Sequence, residues 1–114
     1  MTLQGSCHCG RIAFTAEGEV GEVLACNCSY CSRRGSLLFF VPADKFTLAD
    51  PDADIGTYQF NRHKIDHHFC PVCGIIPYSD AVGPNGPTVA INARCLEGVD
   101  LDALPVKHYD GLHH

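Results

Sequence analysis

The pattern of apolar and polar positions along this chain predicts many short strands. Residues 11–16 alternate between apolar and polar positions and end at a Glu-Gly pair, which is typical of a half-buried strand. Residues 37–41 form a continuous apolar run that ends at Pro42, and such a run predicts a strand buried on both faces. Shorter segments predict further strands at residues 19–26, 45–48, 57–60, 64–69, 75–78, 88–92 and 106–109.

Turn and helix signals separate these strands. Residues 29–34 predict one short helical turn, because Gly35 follows in the position where a left-handed residue ends a helix. A second turn is predicted within residues 99–104. Residues 50–54 and 82–87 are rich in Asp, Pro and Gly and predict loops. The fold class that follows is mainly β with few helical turns, and we expect residues 1–114 to form one domain.

Composition narrows the possible partners. The formal net charge of −5 leaves no large basic patch, which argues against a nucleic-acid partner held by phosphate contacts. No run approaches the roughly 20 apolar residues of a membrane helix, so no membrane partner is predicted. The first residues lack the features of a signal peptide, so we expect a cytoplasmic location. A small molecule or another protein remains as the partner.

Eight cysteines are the main chemical signal in this sequence. In a reducing compartment, clustered cysteines indicate metal binding rather than disulfides. Three of them, Cys26, Cys28 and Cys31, fall within six residues, and their sulfurs can converge on one ion. Residues 26 and 28 share a side of an extended strand, and a Cys-x-x-Cys turn brings two sulfurs to the roughly 3.8 Å that tetrahedral zinc requires.

Two divisions of the thiols between metal ions are open. One ion could use Cys28, Cys31, Cys70 and Cys73 as a zinc ribbon does, which leaves three thiols without a role. Alternatively, one closed site uses four cysteines and an open site keeps the triple segment; the four are Cys7, Cys9, Cys70 and Cys73. Charge favours the second division, because each site is then a defined anion and no stray thiolate remains.

The combination of motifs resembles the glutathione-dependent formaldehyde-activating enzyme family, also called the centromere-protein-V-like family. The motifs run from Gly5 to about Gly111 and are Gly5-Ser6-Cys7-His8-Cys9-Gly10, Cys26-x-Cys28-x-x-Cys31, Cys70-x-x-Cys73-Gly74 and Asn92-x-Arg94-Cys95-Leu96. The resemblance implies a β-tent-like fold of short, coiled, mostly antiparallel sheets. It also implies two zinc ions per chain, a structural one on Cys7, Cys9, Cys70 and Cys73 and a second on Cys26, Cys28 and Cys31. The implied activity joins glutathione and formaldehyde into S-hydroxymethylglutathione and is that of a carbon–sulfur lyase.

The ligand chemistry of the triple segment predicts how such an ion would act. Three thiolates donate strongly to zinc, so a bound water is less acidic than in a three-histidine site and hydrolysis is disfavoured. A soft ion favours a fourth sulfur, and a substrate thiol bound as thiolate is a nucleophile for an aldehyde. We therefore predict that Cys26, Cys28 and Cys31 form the catalytic site, with a small-molecule thiol and an aldehyde as partners.

Two arginines follow the triple segment directly. We predict that Arg33 and Arg34 bind the substrate, since a bound thiolate adds negative charge and a guanidinium fork pairs well with the carboxylates of a glutathione-like thiol. Arg94 is a third candidate. The alternative is that both neighbouring arginines are solvated surface charges.

The remaining candidates have weaker signals. His8 is expected at the surface or beside a ligand, and His67 or His68 either orients a thiolate or is an ordinary strand residue. Cys95 is expected to be a small buried apolar side chain, with a fourth zinc ligand or a reactive thiol as the alternatives. His113 and His114 receive no role.

A different class of function remains open at this point. Both ions could be structural, in a non-catalytic zinc module whose surface binds another protein. A fourth internal ligand at the triple segment, from Cys95 or a histidine, would favour that alternative.

Overall fold

The computed structural model describes residues 2–60 and 65–110 and confirms the mainly β prediction. The strands are β1 (Thr2–Ser6), β2 (Ala13–Glu17), β3 (Val23–Cys26), β4 (Leu38–Pro42), β5 (Phe46–Leu48), β6 (Gly56–Tyr58), β7 (Asp66–Phe69), β8 (Tyr78–Gly83), β9 (Gly86–Asn92) and β10 (Val106–Tyr109). One α-helix, α1 (Ser29–Arg34), and three 3₁₀ turns at Ala43–Lys45, Ala93–Cys95 and Leu101–Ala103 complete the described elements.

The strands form two sheets. The smaller has the order β1-β2-β5, and the larger has the order β10-β3-β4-β9-β8-β7-β6. Strand β10 lies parallel to β3, whereas the other pairs of the described strands are antiparallel. No helix within residues 2–60 and 65–110 has the length and hydropathy of a membrane span.

The core lies between the two sheets. Phe14 of β2 is almost fully buried and stacks on Phe46 of β5 with ring centroids 5.1 Å apart. Phe46 in turn packs on Tyr78 of the larger sheet at 4.7 Å. Ile91 of β9 and Ile12, just before β2, are also fully buried. Burial of these large apolar side chains holds the sheets together, because each removes apolar surface from water.

Strand β4 is less buried than the sequence predicted. The apolar run at residues 37–41 was expected to be buried on both faces, and this is wrong, because the side chain of Phe40 is 49% exposed. Leu38 and Val41 are buried as expected. Strand β4 does lie inside the larger sheet, between β3 and β9. One of its faces therefore packs into the core while Phe40 borders a cavity described below.

The strand boundaries differ from the predictions near proline and glycine. The predicted edge strand at residues 75–78 is absent, since β8 begins only at Tyr78 and lies between β7 and β9. The predicted loop at residues 82–87 is largely strand, because Gly83 pairs with Gly86 across a two-residue turn. The strand at residues 19–26 is confirmed only for β3.

Other predicted elements agree with the structure. Helix α1 and the turn within residues 99–104 are confirmed, as are strands β5, β6, β7, β9 and β10 within a few residues. Residues 61–64, between the strands predicted at residues 57–60 and 64–69, and the pair His113 and His114 lie outside the described residues.

Candidate metal centres

Four thiols meet at the junction of the β1–β2 hairpin and the β7–β8 connection. The Sγ atoms of Cys7 and Cys9 are 3.7 Å apart, and those of Cys9 and Cys70 are 3.5 Å apart. With Cys73, all four sulfurs lie within 4.8 Å of one another. A disulfide has a sulfur–sulfur distance of about 2.05 Å, whereas tetrahedral zinc holds its sulfurs roughly 3.8 Å apart. This four-thiol cluster therefore fits a zinc ion, and its members are those of the division that charge favoured and the family resemblance implied.

Backbone amides donate to sulfurs of this cluster. Gly10 turns the first pair with a φ of 86°, and the Ile12 N–H donates to Cys7 Sγ at 3.4 Å. In the second pair the Cys73 N–H donates to Cys70 Sγ at 3.5 Å. Backbone N–H groups, that of Ile75 foremost, lower the pKa of Cys73 to about 6. Donors directed at sulfur favour its charged form, which is the form that binds a metal.

The other three thiols form a separate three-thiol cluster. Cys26 is the last residue of β3, Cys28 caps the N-terminus of α1, and Cys31 lies in the first turn of that helix. Their sulfurs lie within 4.8 Å of one another, and among the described residues no further Cys, His, Asp or Glu completes the group. Three ligands of this kind fit a zinc ion that takes its fourth ligand from outside the described chain.

Local hydrogen bonds fix the three-thiol cluster. The Cys31 N–H donates to Cys28 Sγ at 3.3 Å, and the Cys28 N–H donates to Cys26 Sγ at 3.5 Å. Gly35 ends the helix with a φ of 71° and donates its N–H to the Cys31 carbonyl at 2.9 Å. Burial raises the pKa of Cys31 to about 12 although the Arg34 charge opposes the shift, so ionisation of this thiol at neutral pH would need a further positive charge such as that of a bound zinc ion.

Arg34 supplies positive charge at that thiol, whereas Arg33 does not. The Arg34 guanidinium donates to Cys31 Sγ at 3.4 Å and to Ser79 Oγ at 3.3 Å, and its Cζ lies 5.0 Å from the Tyr30 ring centroid. Arg33 is exposed and donates to the Ser29 carbonyl at 2.7 Å. Residues three apart on a helix share a face, which places Arg34 beside Cys31 and directs Arg33 elsewhere.

His67 of β7 joins this group although sequence reasoning gave it no definite role. Its side chain is 5% exposed, and Nδ1 lies 3.0 Å from Ser79 Oγ and 3.5 Å from Arg34 Nη1. Burial, helped by the Arg34 charge, lowers the pKa of His67 to about 4. A guanidinium only donates, so Nδ1 accepts and the proton of the neutral ring lies on Nε2. Within the described residues, Nε2 has no hydrogen-bond partner.

A pocket of about 600 Å³ adjoins the three-thiol cluster. All three cysteines border it, together with Arg34 and His67. The remaining wall is mostly apolar and comes from β3, β4, β8, β9, β10 and the ends of the segments flanking residues 61–64. Its apolar side chains include Leu24, Leu38, Phe40, Phe60, Ile65 and Ala90, and its polar side chains are Ser79, Asp80, Thr88 and Tyr109. Sequence reasoning missed this pocket, because its wall is assembled from strands far apart in the chain.

Two further candidates lie away from the three-thiol cluster. Arg94 donates from Nε to the Gly35 carbonyl at 3.1 Å and does not border the pocket. Cys95 packs against the core, and its pKa is raised to about 11, chiefly by burial and then by the charges of Cys7 and Cys73. Cys95 therefore lies on the side of the four-thiol cluster and adds no fourth ligand to the three-thiol cluster.

The two remaining histidine candidates also have defined surroundings. His8 is exposed. His68 Nε2 lies 2.8 Å from Asp80 Oδ2, and its Nδ1 lies 3.0 Å from Thr57 Oγ1. His68 therefore links strands β6, β7 and β8, and it is not part of either cysteine cluster.

The fold and the two clusters define a mainly β protein with one four-thiol and one three-thiol group, each able to hold zinc. The family model described as glutathione-dependent formaldehyde-activating enzyme matches residues 2–109, so the chain belongs to this family. A crystal structure of a Rhodobacter sphaeroides protein superposes with a TM-score of 0.77 at 26% sequence identity. That match covers 94% of this chain and 100% of the other. Family membership supports a glutathione-dependent, formaldehyde-activating type of function in general.

Proposed function

We propose that the chain binds two zinc ions, one in each cluster, and that the three-thiol cluster activates a substrate thiol for addition to an aldehyde such as formaldehyde. One observation carries this proposal. The three-thiol cluster borders a pocket, and no fourth Cys, His, Asp or Glu in the described part of the chain joins it. A zinc ion held there would act as a Lewis acid that lowers the pKa of an incoming thiol.

The protein side chains stabilise the charge that the substrate brings. Three thiolates and a zinc ion carry a net charge of −1, and a substrate thiolate would make it −2. Arg34 offsets part of this charge, because its guanidinium already contacts Cys31 Sγ. A charge-assisted hydrogen bond to sulfur strengthens where burial lowers the local dielectric constant, and Cys31 is a buried residue.

His67 is suited to the aldehyde oxygen. It borders the pocket, it is neutral at pH 7, and its buried Nε2–H has no partner among the described residues, so the aldehyde oxygen would reach this donor only after neighbouring side chains move. A donor of this kind stabilises the negative charge that develops on a carbonyl oxygen during addition. The Arg34 and Ser79 contacts at Nδ1 hold the ring in the required tautomer.

The reaction balances without an oxidant or a reductant. The sulfur lone pair forms a bond to the carbonyl carbon, and the carbonyl π pair moves to oxygen. The proton that left the thiol is returned to that oxygen, which gives an S-hydroxymethyl thioether from formaldehyde. The reverse reaction breaks the same carbon–sulfur bond, so the activity is that of a carbon–sulfur lyase. Glutathione, the thiol of the family, supplies the required sulfur.

Metal content and adduct formation test this proposal together. We expect wild type to hold two zinc ions and to form the thiol–formaldehyde adduct faster than the spontaneous reaction. Cys28→Ser should retain one ion and lose the added rate. The matched control is Cys95→Ser, which removes a thiol outside both clusters and should keep both ions and the rate. A Cys28→Ser protein with full activity would contradict the proposal.

A further inference from the structure

The larger sheet carries a further group of candidate metal ligands away from the cysteines. We propose that Asp66, His68 and Asp80 form a third metal site, which takes a divalent transition-metal cation such as Mn²⁺ through oxygen and nitrogen ligands. One carboxylate oxygen of each aspartate and one ring nitrogen of the histidine all lie within 4.8 Å of one another. This site is independent of the proposed function, because none of the three residues belongs to a cysteine cluster.

Strand pairing brings the three side chains to one face of the larger sheet. Asp66 and His68 are two residues apart on β7, and Asp80 of β8 is the direct partner of Asp66. Alternate residues of a strand point to opposite faces, so these three share a face, whereas His67 and Ser79 point to the face of the three-thiol cluster. The register of two regular strands therefore fixes where the candidate ligands lie.

The two carboxylates face each other across this strand pair. Like charges at directly opposite positions of an antiparallel pair destabilise it. A cation bound between Asp66 and Asp80 would replace that repulsion by attraction. Residues 61–64, which include Arg62 and Lys64, lie outside the described part of the chain. Neutralisation by one of those side chains is the alternative, and a metal titration distinguishes the two.

The geometry at His68 fits a metal ligand. Its Nε2 lies 2.8 Å from Asp80 Oδ2, and ligands on adjacent corners of an octahedral ion with bonds of about 2.1 Å are roughly 3 Å apart. Its Nδ1 lies 3.0 Å from Thr57 Oγ1. Metal-binding histidines usually donate their other ring N–H to an oxygen, and a threonine hydroxyl can accept it. That tautomer leaves the Nε2 lone pair for a cation.

A cavity of about 670 Å³ adjoins this group and is bordered by a hydroxyl without a partner. Asp66, Asp80 and Tyr78 all border it. Tyr78 is 6% exposed, and its hydroxyl has no hydrogen-bond partner among the described residues. Burial, and then the Asp80 charge, raises the pKa of Tyr78 to about 12, so this hydroxyl stays neutral. A nearly buried hydroxyl at a cavity indicates a ligand, and a water molecule on the bound cation would supply the missing partner.

The ligand set favours a harder cation than the cysteine clusters do. Carboxylates suit Mn²⁺ and Mg²⁺, imidazole suits the transition metals, and thiolates suit zinc. Two carboxylates and a neutral imidazole around a divalent cation carry no net charge, so binding leaves no uncompensated charge in the cavity. Asp80 also borders the pocket of the three-thiol cluster, and a cation here would neutralise it.

Manganese titration of the full-length protein, loaded first with zinc, provides a direct test. Free Mn²⁺ gives a sharp electron paramagnetic resonance signal that broadens on binding, and Mn²⁺ does not displace zinc from thiolates. We expect one Mn²⁺ to bind per chain and to raise the Tm, because an ion that binds only the folded state stabilises it. Absence of binding, with the zinc content unchanged, would overturn the inference and leave the proposed function intact.

Single substitutions identify the ligands. Asp80→Asn and His68→Gln should each weaken Mn²⁺ binding by about tenfold or more. The matched control is Asp102→Asn, which removes the same charge from an exposed side chain outside the cavity and should leave binding unchanged. If Asp80→Asn fails to fold, Asp66→Asn takes its place. Equal binding by all of these variants would show unspecific attraction of the ion to an acidic protein and would contradict the inference.

Discussion

Arg33 and Arg34 are adjacent in sequence and differ fully in their surroundings. Arg34 contacts Cys31 Sγ, whereas Arg33 contacts only the carbonyl of Ser29 among the hydrogen bonds described for it. Arg34→Gln should therefore weaken thiol binding to a cobalt-loaded protein by roughly 10- to 150-fold, since a charge-assisted bond contributes roughly 1.5–3 kcal/mol. Arg33→Gln is the matched control and should leave the dissociation constant unchanged. Equal effects of the two substitutions would show that Arg34 acts only through overall charge.

His67 gives a second prediction at the scale of a single residue. Its pKa is about 4 in the folded protein and about 6.5 in an unfolded chain. Between these values the unfolded state binds more protons, so the free energy of unfolding falls as the pH is lowered from 6.5 to 4. Burial lowers the pKa of His67 most, the charges of Arg34 and His68 lower it further, and Asp66 raises it.

Denaturation of wild type and His67→Asn at pH 7 and pH 4.5 measures this contribution. The free energy of unfolding of wild type should fall by on the order of 2 kcal/mol more than that of the variant over that interval. Only wild type has an imidazole at position 67, which stays neutral in the folded protein and gains a proton in the unfolded chain. Loss of zinc at low pH affects both proteins and cancels in the difference. Identical pH profiles would show that His67 titrates normally.

The candidate cysteine ligands could be predicted from the sequence, whereas most of the residues around them could not. The spacing of Cys26, Cys28 and Cys31 is local, and an extended strand followed by a helical turn fixes where their sulfurs point. His67 and Ser79 reach the same site through strand pairing of β7 with β8, which no local pattern reveals. Arg34 could have been separated from Arg33 by its three-residue spacing from Cys31 on a helix.

The β1–β2 hairpin depends on a close approach at Gly5. A Cβ on this residue would lie 2.6 Å from the Phe14 ring and 2.8 Å from the Cys95 carbonyl oxygen. Gly5→Ala should therefore reduce the free energy of unfolding by about 1–3 kcal/mol, as overpacking of a core does. Gly21→Ala is the control, because a Cβ there would meet nothing within 4 Å. Urea denaturation of both zinc-loaded variants checks the difference, and equal stabilities would contradict the packing argument.

The elements were predicted well where apolar periodicity is decisive and less well where prolines and glycines intervene. The apolar run of β4 indicated a strand correctly, but hydropathy alone does not distinguish a side chain in the core from one at a pocket. Phe40 looks like a core residue in sequence for that reason. The β8–β9 hairpin was expected to be a loop because its turn, Pro84 and Asn85, has glycines on both sides.

At the scale of the whole molecule, the two clusters differ in how far apart in the chain their cysteines lie. The four-thiol cluster joins residues 7 and 9 to residues 70 and 73 and thereby ties the smaller sheet to the larger. The three-thiol cluster is contained within residues 26–31. A metal ion that closes a long loop removes more entropy from the unfolded chain than one that closes a short loop.

Removal of one ligand from each cluster should show this difference. Cys9→Ala should abolish one metal ion and unfold the protein or lower its Tm by more than 10 °C, because a structural metal site contributes folding free energy directly. Cys28→Ala should also lose one ion but lower the Tm far less. Metal analysis with circular dichroism measures both quantities, and unfolding by Cys28→Ala would reject the division into a structural and a functional site.

Strand β10 pairs in parallel with β3, and the Asn27 N–H donates to the Tyr109 carbonyl at 3.2 Å. The triple-cysteine segment, residues 26–31, therefore contacts a strand that is synthesised much later in the chain. During synthesis the four-thiol pairs can meet once residue 73 has emerged, whereas the three-thiol segment gains its neighbour only after residue 109. For the two zinc ions of the proposed function, loading of the four-thiol cluster in a growing polypeptide is therefore expected to precede loading of the three-thiol cluster.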